Sequence, residues 1–448
     1  MPNASHADEP PPSTGFVATQ LQVLINISGT SASPVRGVSI RGLVLRDTAS
    51  TMFAPHGMPS GGDWALPPLA AITMRGTEDV RISESYFTRL DGSAIFAGGY
   101  HRRLTVQHCE FHLLADSAVV LWGDTSECLN SNCSRRLPTG VKMGPDGRTG
   151  EQPLHTRIEG NLAHELGLVQ KQSAFVFQAV AALSQVHGNV AFNLPRAALN
   201  FNDHFGGGDD VSANLLLNTC RESSDHGPWN SWDRIPYIHT LASSGALDGA
   251  PSIVPLQRRF HHNFVLANYN SQEAVDTDDG SSRLTVDHNL LAYGDNGLKA
   301  VFGGHHLEHV HNLYFFVRAS RAHTSQGPHP PATALLRTLL TACCVLDYTQ
   351  VGTCLDLVSF KGYATRFTNN SCVVRSSSGY ASDCGVDSLF GHRVEANRVY
   401  TRRGALEVCG GSLSSWQAGG HDTATTLARW PEPEKLVARA EALVGGFG

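Results

Sequence analysis

The sequence predicts an all-β solenoid, a single-stranded parallel β-helix, and three observations lead to that fold. A short pattern recurs along the chain, consisting of an apolar residue, two mostly polar residues, an asparagine and further apolar residues, as in Val286-Asp-His-Asn289. Neighbouring copies follow at a nearly constant interval, for example 25 residues from Asn189 to Asn214. Runs rich in Val, Ile and Phe are short and are broken by Gly, Asn and Asp, as is typical of strands joined by turns.

The asparagine of the pattern marks one position in each repeat. It occurs at Asn161, Asn189, Asn214, Asn263, Asn289, Asn312, Asn370 and Asn397, and Ser85 and Cys109 take its place near the N-terminus. A period of roughly 20 to 30 residues indicates units that bury their faces only by stacking on one another. The asparagines are therefore expected to stack as an internal ladder. Three longer gaps, which end at Asn161, Asn263 and Asn370, are each about twice the unit.

A leucine-rich repeat is the alternative solenoid at this period, and it also contains an asparagine turn. That repeat needs regularly spaced leucines, whereas here Val, Ile, Phe, Leu and Ala fill the apolar positions without preference. Three short strands per repeat fit this composition better, so a β-helix is favoured.

Composition limits the classes of function. A chain of 448 residues would ordinarily form two or three domains, but a solenoid grows along one axis, so one long domain is expected. The net charge is -6 and charged residues make up 17% of the chain, so nucleic acid is not expected as a partner. No segment has the roughly 18 consecutive apolar residues that a membrane span requires.

Cysteines and glycosylation sequons favour a secreted, disulfide-bonded glycoprotein. The ten cysteines are an even number, and Asn-x-Ser sequons occur at Asn3, Asn26, Asn132 and Asn369. The pairing of the cysteines is not readable from the sequence. The first residues lack the positively charged start and the apolar run of a signal peptide. The extracellular location is therefore predicted from the cysteines and the sequons alone.

Three parts are predicted along the chain. Residues 1–18, rich in Pro, Ser and Asp, are predicted to be disordered. Residues 19–410 form the β-helix, with insertions near 124–155, 220–258 and 317–355. Residues 411–448 form a tail whose helix carries the apolar stripe Leu436, Val437, Ala440, Leu443 and Val444. This helix is expected to cap the open end of the solenoid.

Residues 11 to 16 positions after a ladder asparagine should lie above one another in successive repeats. This places acids and histidines on one line, namely Asp203 and His204, Asp225 and His226, Asp278 and Asp279, and His305. Carboxylates stacked about 4.8 Å apart repel, which raises the pKa of at least one and suits general acid chemistry. The structural alternative is that glycine-rich turns favour Asp and Asn for their backbone hydrogen bonds.

Paired carboxyl groups on this line predict a glycoside hydrolase acting on a polysaccharide or oligosaccharide, because that reaction needs one protonated and one ionised carboxyl group. The candidate catalytic residues are Asp225, Asp278, Asp203, Asp279 and His226. The candidate substrate-binding residues are Trp229, Trp232, Arg234, Asp233, His204, His305 and Lys299. The tryptophans are expected to stack on sugar rings, and Arg234 to meet a carboxylate or sulfate. Retention and inversion both remain open.

Two alternative functions also remain open. In a polysaccharide lyase or uronate epimerase, Ca²⁺ held by Asp276, Asp278 and Asp279 would neutralise a uronate while Lys299 abstracts a proton. Apart from this calcium ion, no cofactor is predicted. The third alternative is a non-catalytic, carbohydrate-binding solenoid.

The segments 195–210, 221–234 and 275–305 resemble the pectin-lyase-like superfamily of right-handed parallel β-helices. More narrowly, the chain from about Val38 to the last helix is similar to secreted proteins related to glycoside hydrolase family 141. The resemblance implies a right-handed β-helix and a carbohydrate-active enzyme, although this fold also hosts lyases, epimerases and adhesins. It supplies no catalytic pair, so the site residues depend on the stacking argument.

Overall fold

The structure is a computed structural model, and the strands within it are mostly parallel. It describes residues 18–57, 64–124, 150–202, 207–223, 226–232, 256–266, 273–278, 281–294, 297–300, 305–317, 353–357, 365–382 and 392–444. Three long parallel sheets, named A, B and C, contain most of the described strands.

The strands of each sheet come from all along the chain. In sheet A they are β1 (Ile25–Ser28), β2 (Val35–Arg36), β5 (Ala70–Glu78), β8 (Ser93–Arg102), β11 (Val119–Trp122), β12 (Pro153–Leu154), β15 (Val176–Ala179), β18 (Leu199–Asn202), β21 (Trp229–Trp232) and β24 (Val275–Thr277). In sheet B they are β3 (Ser39–Arg41), β6 (Arg81–Ser83), β9 (Thr105–Gln107), β13 (Arg157–Glu159), β16 (Gln185–His187), β19 (Asp210–Ser212), β22 (Arg258–His261), β25 (Ser282–Asp287), β28 (His305–Val310), β31 (Thr365–Thr368) and β34 (Arg393–Glu395). In sheet C they are β4 (Val44–Arg46), β7 (Tyr86–Leu90), β10 (Glu110–Leu114), β14 (Leu162–His164), β17 (Val190–Phe192), β20 (Leu215–Leu217), β23 (Phe264–Leu266), β26 (Leu290–Ala292), β29 (Leu313–Val317), β32 (Ser371–Val374), β35 (Arg398–Thr401) and β38 (Thr426–Arg429).

The remaining elements lie in the C-terminal half. A small parallel sheet of β27 (Leu298–Ala300), β30 (Leu355–Leu357) and β33 (Ala381–Ser382) follows β24 of sheet A. The strands β36 (Glu407–Val408) and β37 (Gly411–Ser412) form an antiparallel pair. Two helices follow, α1 (Leu413–Ala418) and α2 (Pro433–Val444).

The chain visits the sheets in the rotation A, B, C, and one such round is called a coil below. The strands β5, β6 and β7 form one coil, for example, and β8, β9 and β10 form the next. Each strand pairs in parallel with the strands of neighbouring coils, as Ile82 pairs with Val106 and Val106 with Ile158. This arrangement is consistent with the predicted parallel β-helix.

Alternation along each strand separates an interior from an outer surface. Ile72, Ile95, Val119 and Val176 occupy successive inward positions of sheet A and are fully buried in one continuous core. In sheet C, Phe87 and Phe111 stack in the same core with ring centroids 4.9 Å apart. Each buried side chain of this size stabilises the fold by about 1.5–3 kcal/mol, so stacking of coils supplies the main stabilisation.

The predicted asparagine ladder is confirmed. All eight asparagines are at most 2% exposed, and the Oδ1 of each accepts a hydrogen bond from the backbone N–H of the preceding ladder residue. Each except Asn397 also donates its own backbone N–H to the Oδ1 of the next asparagine. Asn214 is representative, because its Oδ1 accepts from Asn189 N at 3.0 Å and its Nδ2 donates to Val186 O at 2.9 Å. Ser85 and Cys109 extend the ladder as predicted, and Thr425, which the sequence pattern missed, ends it by bonding Asn397 N.

The ladder also corrects the interpretation of the three long gaps. Cys109 N bonds directly to Asn161 Oδ1 at 2.9 Å, although the two residues are 52 positions apart. The gap that ends at Asn263 and the one that ends at Asn370 are bridged in the same way. Each long gap therefore contains one coil and not two. Most of each predicted insertion lies outside the described residues.

The residue before each ladder position from Ser85 to Asn397 adopts the left-handed conformation, with φ between 49° and 64°. Only two of these residues, Gly160 and Gly188, are glycines. Non-glycine residues such as His262, His288 and His311 destabilise the fold by about 1 kcal/mol each in this backbone conformation. The hydrogen bonds of the adjacent asparagines offset that cost. Sequence signals based on glycine alone would therefore miss most of these turns.

The C-terminal helix α2 exists as predicted, but it does not lie over the end of the coil stack. Leu436 and Ala440 pack on the outer face of sheet C, against Leu290, Ala292 and Phe315. The core near the last coils is instead joined by Leu406 and Val408 in and beside β36 and by Leu413 of helix α1. None of the helices in the described part is long and apolar enough to cross a bilayer.

Half of the ten cysteines fall within the described residues. Cys354 and Cys372 form a disulfide, and Cys409 is also disulfide-bonded. Cys109 and Cys220 are buried thiols, and burial raises their pKa to about 11 and about 12 respectively, so both are unreactive near neutral pH.

Replacing Asn214 by Ala tests the ladder. The variant N214A leaves the backbone N–H and the side-chain amide of Asn189 and the carbonyl of Val186 without a ladder partner, and it removes one of the two hydrogen bonds that Asn263 Oδ1 accepts from residue 214. We expect the free energy of unfolding, measured by urea denaturation, to fall by about 3 kcal/mol. The control is N26A, because Asn26 is exposed in β1 and its replacement is expected to change stability by about 0.5 kcal/mol or less. Equal losses in the two variants would contradict a stabilising ladder.

Candidate functional site

The outer face of sheet A changes from apolar to polar along the stack of coils. Register places Phe96, Val120 and Phe177 in one row and continues that row with Asn200, Asn230 and Asp276. Trp64 covers the apolar part, because its ring stacks on Phe177 at a centroid distance of 5.0 Å. The polar part begins where this cover ends, and charged groups gather there.

Three carboxylates surround the ammonium of Lys299. Nζ lies 3.1 Å from Asp276 Oδ1, 3.4 Å from Asp278 Oδ1 and 3.8 Å from Glu273 Oε2. The side chains of Asp276 and Glu273 are fully buried and that of Lys299 is 9% exposed, whereas the Asp278 side chain is 21% exposed. Asp278 is therefore the carboxylate of this acid cluster that a ligand can reach.

Burial and charge oppose each other in the acid cluster. Burial acts to raise the pKa of Asp276, but the charge of Lys299, the neighbouring imidazole of His226 and the hydrogen bond from Lys299 lower this pKa below its ordinary value of 3.8. Burial likewise acts to lower the pKa of Lys299, but Asp276, Glu273 and Asp278 raise it well above its ordinary value of 10.5. Asp276 and Lys299 are thus both charged at neutral pH.

His226 and Arg196 lie beside the acid cluster. His226 Nδ1 is 3.8 Å from Asp276 Oδ2, and Arg196 Nη2 donates to the same Nδ1 at 3.3 Å. In the neutral ring the proton is therefore on Nε2, since Arg can only donate. Gly227 permits this position, because a Cβ there would lie 2.6 Å from the carbonyl oxygen of Glu273.

Two buried asparagines complete the polar row. Asn230 Nδ2 donates to Asp276 Oδ2 at 2.6 Å, and Asn200 is the register partner of Asn230 in the preceding coil. Both amide atoms of Asn200 and the Oδ1 of Asn230 lack a hydrogen-bond partner in the part of the chain that the structure describes. Such groups are uncommon in protein interiors and add hydrogen-bonding capacity beside the carboxylates.

The structure brings together three of the predicted site residues, which are Asp278, His226 and Lys299. Trp229 was predicted to stack on sugar, but it points into the interior, where it packs on Phe201 and Phe260 and is fully buried. Trp229 belongs to the core because it pairs with Leu199, whose side chain also faces inward. Trp232 lies on the outer side, pairs with Asn202 and is 2% exposed.

The other predicted site residues lie outside the described part of the chain. They are Asp203, His204, Asp225, Asp233, Arg234 and Asp279, together with the side chain of His305.

The stacking argument missed Glu273, Arg196, Asn200 and Asn230. The sequence could have identified Asn200 and Asn230, because residues two positions apart on a strand face the same side. Asn200 is two positions from Asn202, and Asn230 is two positions from the predicted site residue Trp232. Glu273 carries no repeat signal, since it precedes β24. Asp276 was predicted as a calcium ligand, but Lys299 Nζ occupies the point where the acids converge. Within the described ranges, no three His, Cys, Asp or Glu side chains are arranged to hold a metal ion.

Comparison with known proteins adds little to this geometry. No protein-family model matches the chain, and no curated protein matches it either. Among solved structures, a chain described as a glycoside hydrolase is similar, with a TM-score of 0.42 and 13% sequence identity. The match covers 66% of this chain and 50% of that chain, so this protein spans half the length of its structural neighbour.

The charge of Lys299 should stabilise the fold in a pH-dependent way. In K299M the buried carboxylates of Asp276 and Glu273 lose their counterion, so we expect a loss of about 3–5 kcal/mol in the free energy of unfolding at pH 7. Without Lys299, burial raises the pKa of Asp276 instead of allowing it to fall. The loss should therefore shrink as the pH falls towards about 4, where the buried carboxyls become protonated.

The matched control is K171M, because Lys171 forms an exposed ion pair with Glu222 at 2.9 Å. Its loss is expected to be about 1 kcal/mol or less. Urea denaturation of both variants between pH 4 and pH 7 makes the comparison. A K299M loss that stays constant with pH would indicate lost packing and would contradict the charge network.

Proposed function

We propose that this protein is a carbohydrate-active enzyme, a glycoside hydrolase that acts at the acid cluster on the outer face of sheet A. The supporting observation is the convergence of Glu273, Asp276 and Asp278 on Lys299, with His226 alongside. Burying so many charges is costly, and titratable groups with perturbed pKa values concentrate at functional sites.

Asp278 is the proposed ionised carboxylate of the reaction. It is the most exposed acid of the cluster, and the nearby ammonium of Lys299 favours its charged form. A charged, reachable carboxylate can attack the anomeric carbon or activate a water molecule. Its backbone is fixed by hydrogen bonds from Asp278 N to Ser231 O and from Ser281 N to Asp278 O, each 2.8 Å long.

Asp276 serves as a positioning residue in this proposal. It is fully buried and bonds both Lys299 and Asn230, so it holds the ammonium beside Asp278. It also lies close to His226. Because Arg196 donates a hydrogen bond to Nδ1 of that ring, the neutral imidazole carries its proton on Nε2. His226 is 14% exposed and is proposed to exchange a proton with the substrate.

The second carboxyl group of the hydrolase is proposed to be Asp225, which adjoins His226 in sequence. Asp203 and Asp279 are the alternatives for this role. Asp233, Arg234, His204 and His305 are proposed to contact the sugar, whereas Trp232, which is 2% exposed, is too buried to stack on a sugar ring. Retention and inversion both stay open, because the reaction outcome depends on the separation between Asp278 and its partner.

A lyase or epimerase that uses Lys299 as its base is not favoured. A base must lose its proton near the working pH, whereas the surrounding carboxylates hold the pKa of Lys299 well above its ordinary value. Lys299 is therefore proposed to stabilise the charges of the surrounding carboxylates, and not to bind the substrate or to abstract a proton.

Architecture and location belong to the same proposal. We infer a right-handed, single-stranded β-helix, because parallel crossover connections are right-handed in about 98% of cases. We also infer a relationship to glycoside hydrolase family 141. Secretion is supported by the disulfide between Cys354 and Cys372 and by the exposure of the sequon residues Asn26 and Asn369.

Replacing Asp278 by Asn tests the proposed reaction. The variant D278N keeps the size of the side chain but removes its negative charge, so we expect hydrolysis to fall by about 10²-fold or more. The measurement is the release of reducing ends from a panel of neutral, uronic and sulfated polysaccharides. Ultraviolet absorbance, followed in the same reactions, detects the unsaturated ends that a lyase would make.

The control for this variant is D210N. Asp210 is a half-buried aspartate paired with His261 on sheet B, away from the acid cluster, so its replacement should leave hydrolysis unchanged. Full hydrolysis by D278N would exclude Asp278 from catalysis. Absorbing, unsaturated products from the unmodified protein would replace the hydrolase proposal with a lyase.

A further inference from the structure

A second polar site lies on the outer face of sheet B, near the first coils. It is a groove of about 510 Å³ that runs across four neighbouring coils, along β6, β9, β13 and β16. Its hydrogen-bonding side chains are Arg81, Arg103, Thr105, His155, Arg157 and Gln185. This groove belongs to a different sheet from the acid cluster, and the proposed hydrolase does not use it.

Donors exceed acceptors in the groove. The acid that lines it, Asp79, is already held by Arg103 through two hydrogen bonds of 2.7 and 2.9 Å. Arg157 uses Nε and Nη2 to bind one oxygen of Glu159, which leaves its Nη1 available. The Arg81 guanidinium makes no hydrogen bond or ion pair with another described residue. The groove therefore offers guanidinium donors to an outside acceptor.

The spacing of the donors follows the coils. Register puts Arg81, Thr105, Arg157 and Gln185 in one row, each in the next coil. Arg81 and Arg157 are two coils apart, which corresponds to about 10 Å along the stack. A hydroxyl and an amide thus alternate with the two cations along this row. An extended ligand with regularly spaced anionic groups would match that alternation.

We propose that this groove binds an anionic oligosaccharide, whose sulfate or carboxylate groups pair with Arg81 and Arg157 and whose hydroxyls bond Thr105 and Gln185. Guanidinium groups bind such oxyanions through paired hydrogen bonds. The groove has no Trp, Tyr or Phe among its described lining residues, so it lacks the stacking platform that single-stranded nucleic acid uses.

Calorimetric titration of the full chain tests the groove. The probes are a heparin-derived hexasaccharide for sulfate groups, an oligogalacturonate of equal length for carboxylates, inorganic sulfate and a single-stranded oligonucleotide of similar charge. We expect at least one oligosaccharide to bind more tightly than inorganic sulfate. The double variant R81A/R157A should weaken that binding at least tenfold, and R81K/R157K should weaken it less, because Lys keeps the charge but not the fork of donors.

The matched control is R393A. Arg393 is exposed on the same row of sheet B and binds Glu395 two residues away at 2.6 Å, as Arg157 binds Glu159, but it lies outside the groove. Its replacement should change the affinity less than twofold. Equal weakening by R393A, tighter binding of the oligonucleotide, or no binding of either oligosaccharide would overturn the proposal. The titration needs no hydrolysis, so failure of the enzyme proposal would leave this result intact.

Discussion

The asparagine ladder is the constraint on which the rest of the structure depends. Each asparagine bonds the backbone and the side chain of a neighbouring coil, so a slip of one residue in any coil would break these bonds and turn its inward side chains outward. The ladder nevertheless tolerates long departures of the chain between coils, as the direct bond from Cys109 to Asn161 shows. Register fixes the interior, and variation is left to the loops and the outer faces.

The outer faces are where the chemistry can be distinguished from the architecture. Helix α2 covers apolar residues of sheet C, and Trp64 covers the apolar row of sheet A. A further apolar residue in place of Asp276 would keep that row dry and would avoid the desolvation of a carboxylate. The coil stack therefore does not require Asp276, Glu273 or Lys299. Their burial is informative because the fold would be easier to stabilise without them.

Sequence reasoning succeeded where a feature is local and repeated. All ladder positions from Ser85 to Asn397 were predicted, because period and residue type identify them together. Helix α2 was predicted but its location was wrong, since an apolar stripe does not say which apolar surface it meets. Counting positions from the ladder correctly placed Asp278 near His226, but it placed Trp229 on the outer surface when its side chain points inward. Successive residues of a strand face opposite sides, and an insertion before the strand can change which residues face inward. Glu273 lies before its strand and gave no periodic signal.

The two polar sites use cations in opposite ways. Lys299 is enclosed by three carboxylates, and even with Arg196 nearby the described residues of the acid cluster include more carboxylates than Lys and Arg cations. Such a cluster repels a sugar carboxylate, and a uronate lyase must neutralise that carboxylate before it removes a proton. Hydrolysis carries no such requirement, because its transition state gains positive charge at the sugar. The excess of carboxylates is therefore compatible with the proposed hydrolysis at sheet A, whereas the proposed recognition of anionic groups depends on the exposed arginines of sheet B.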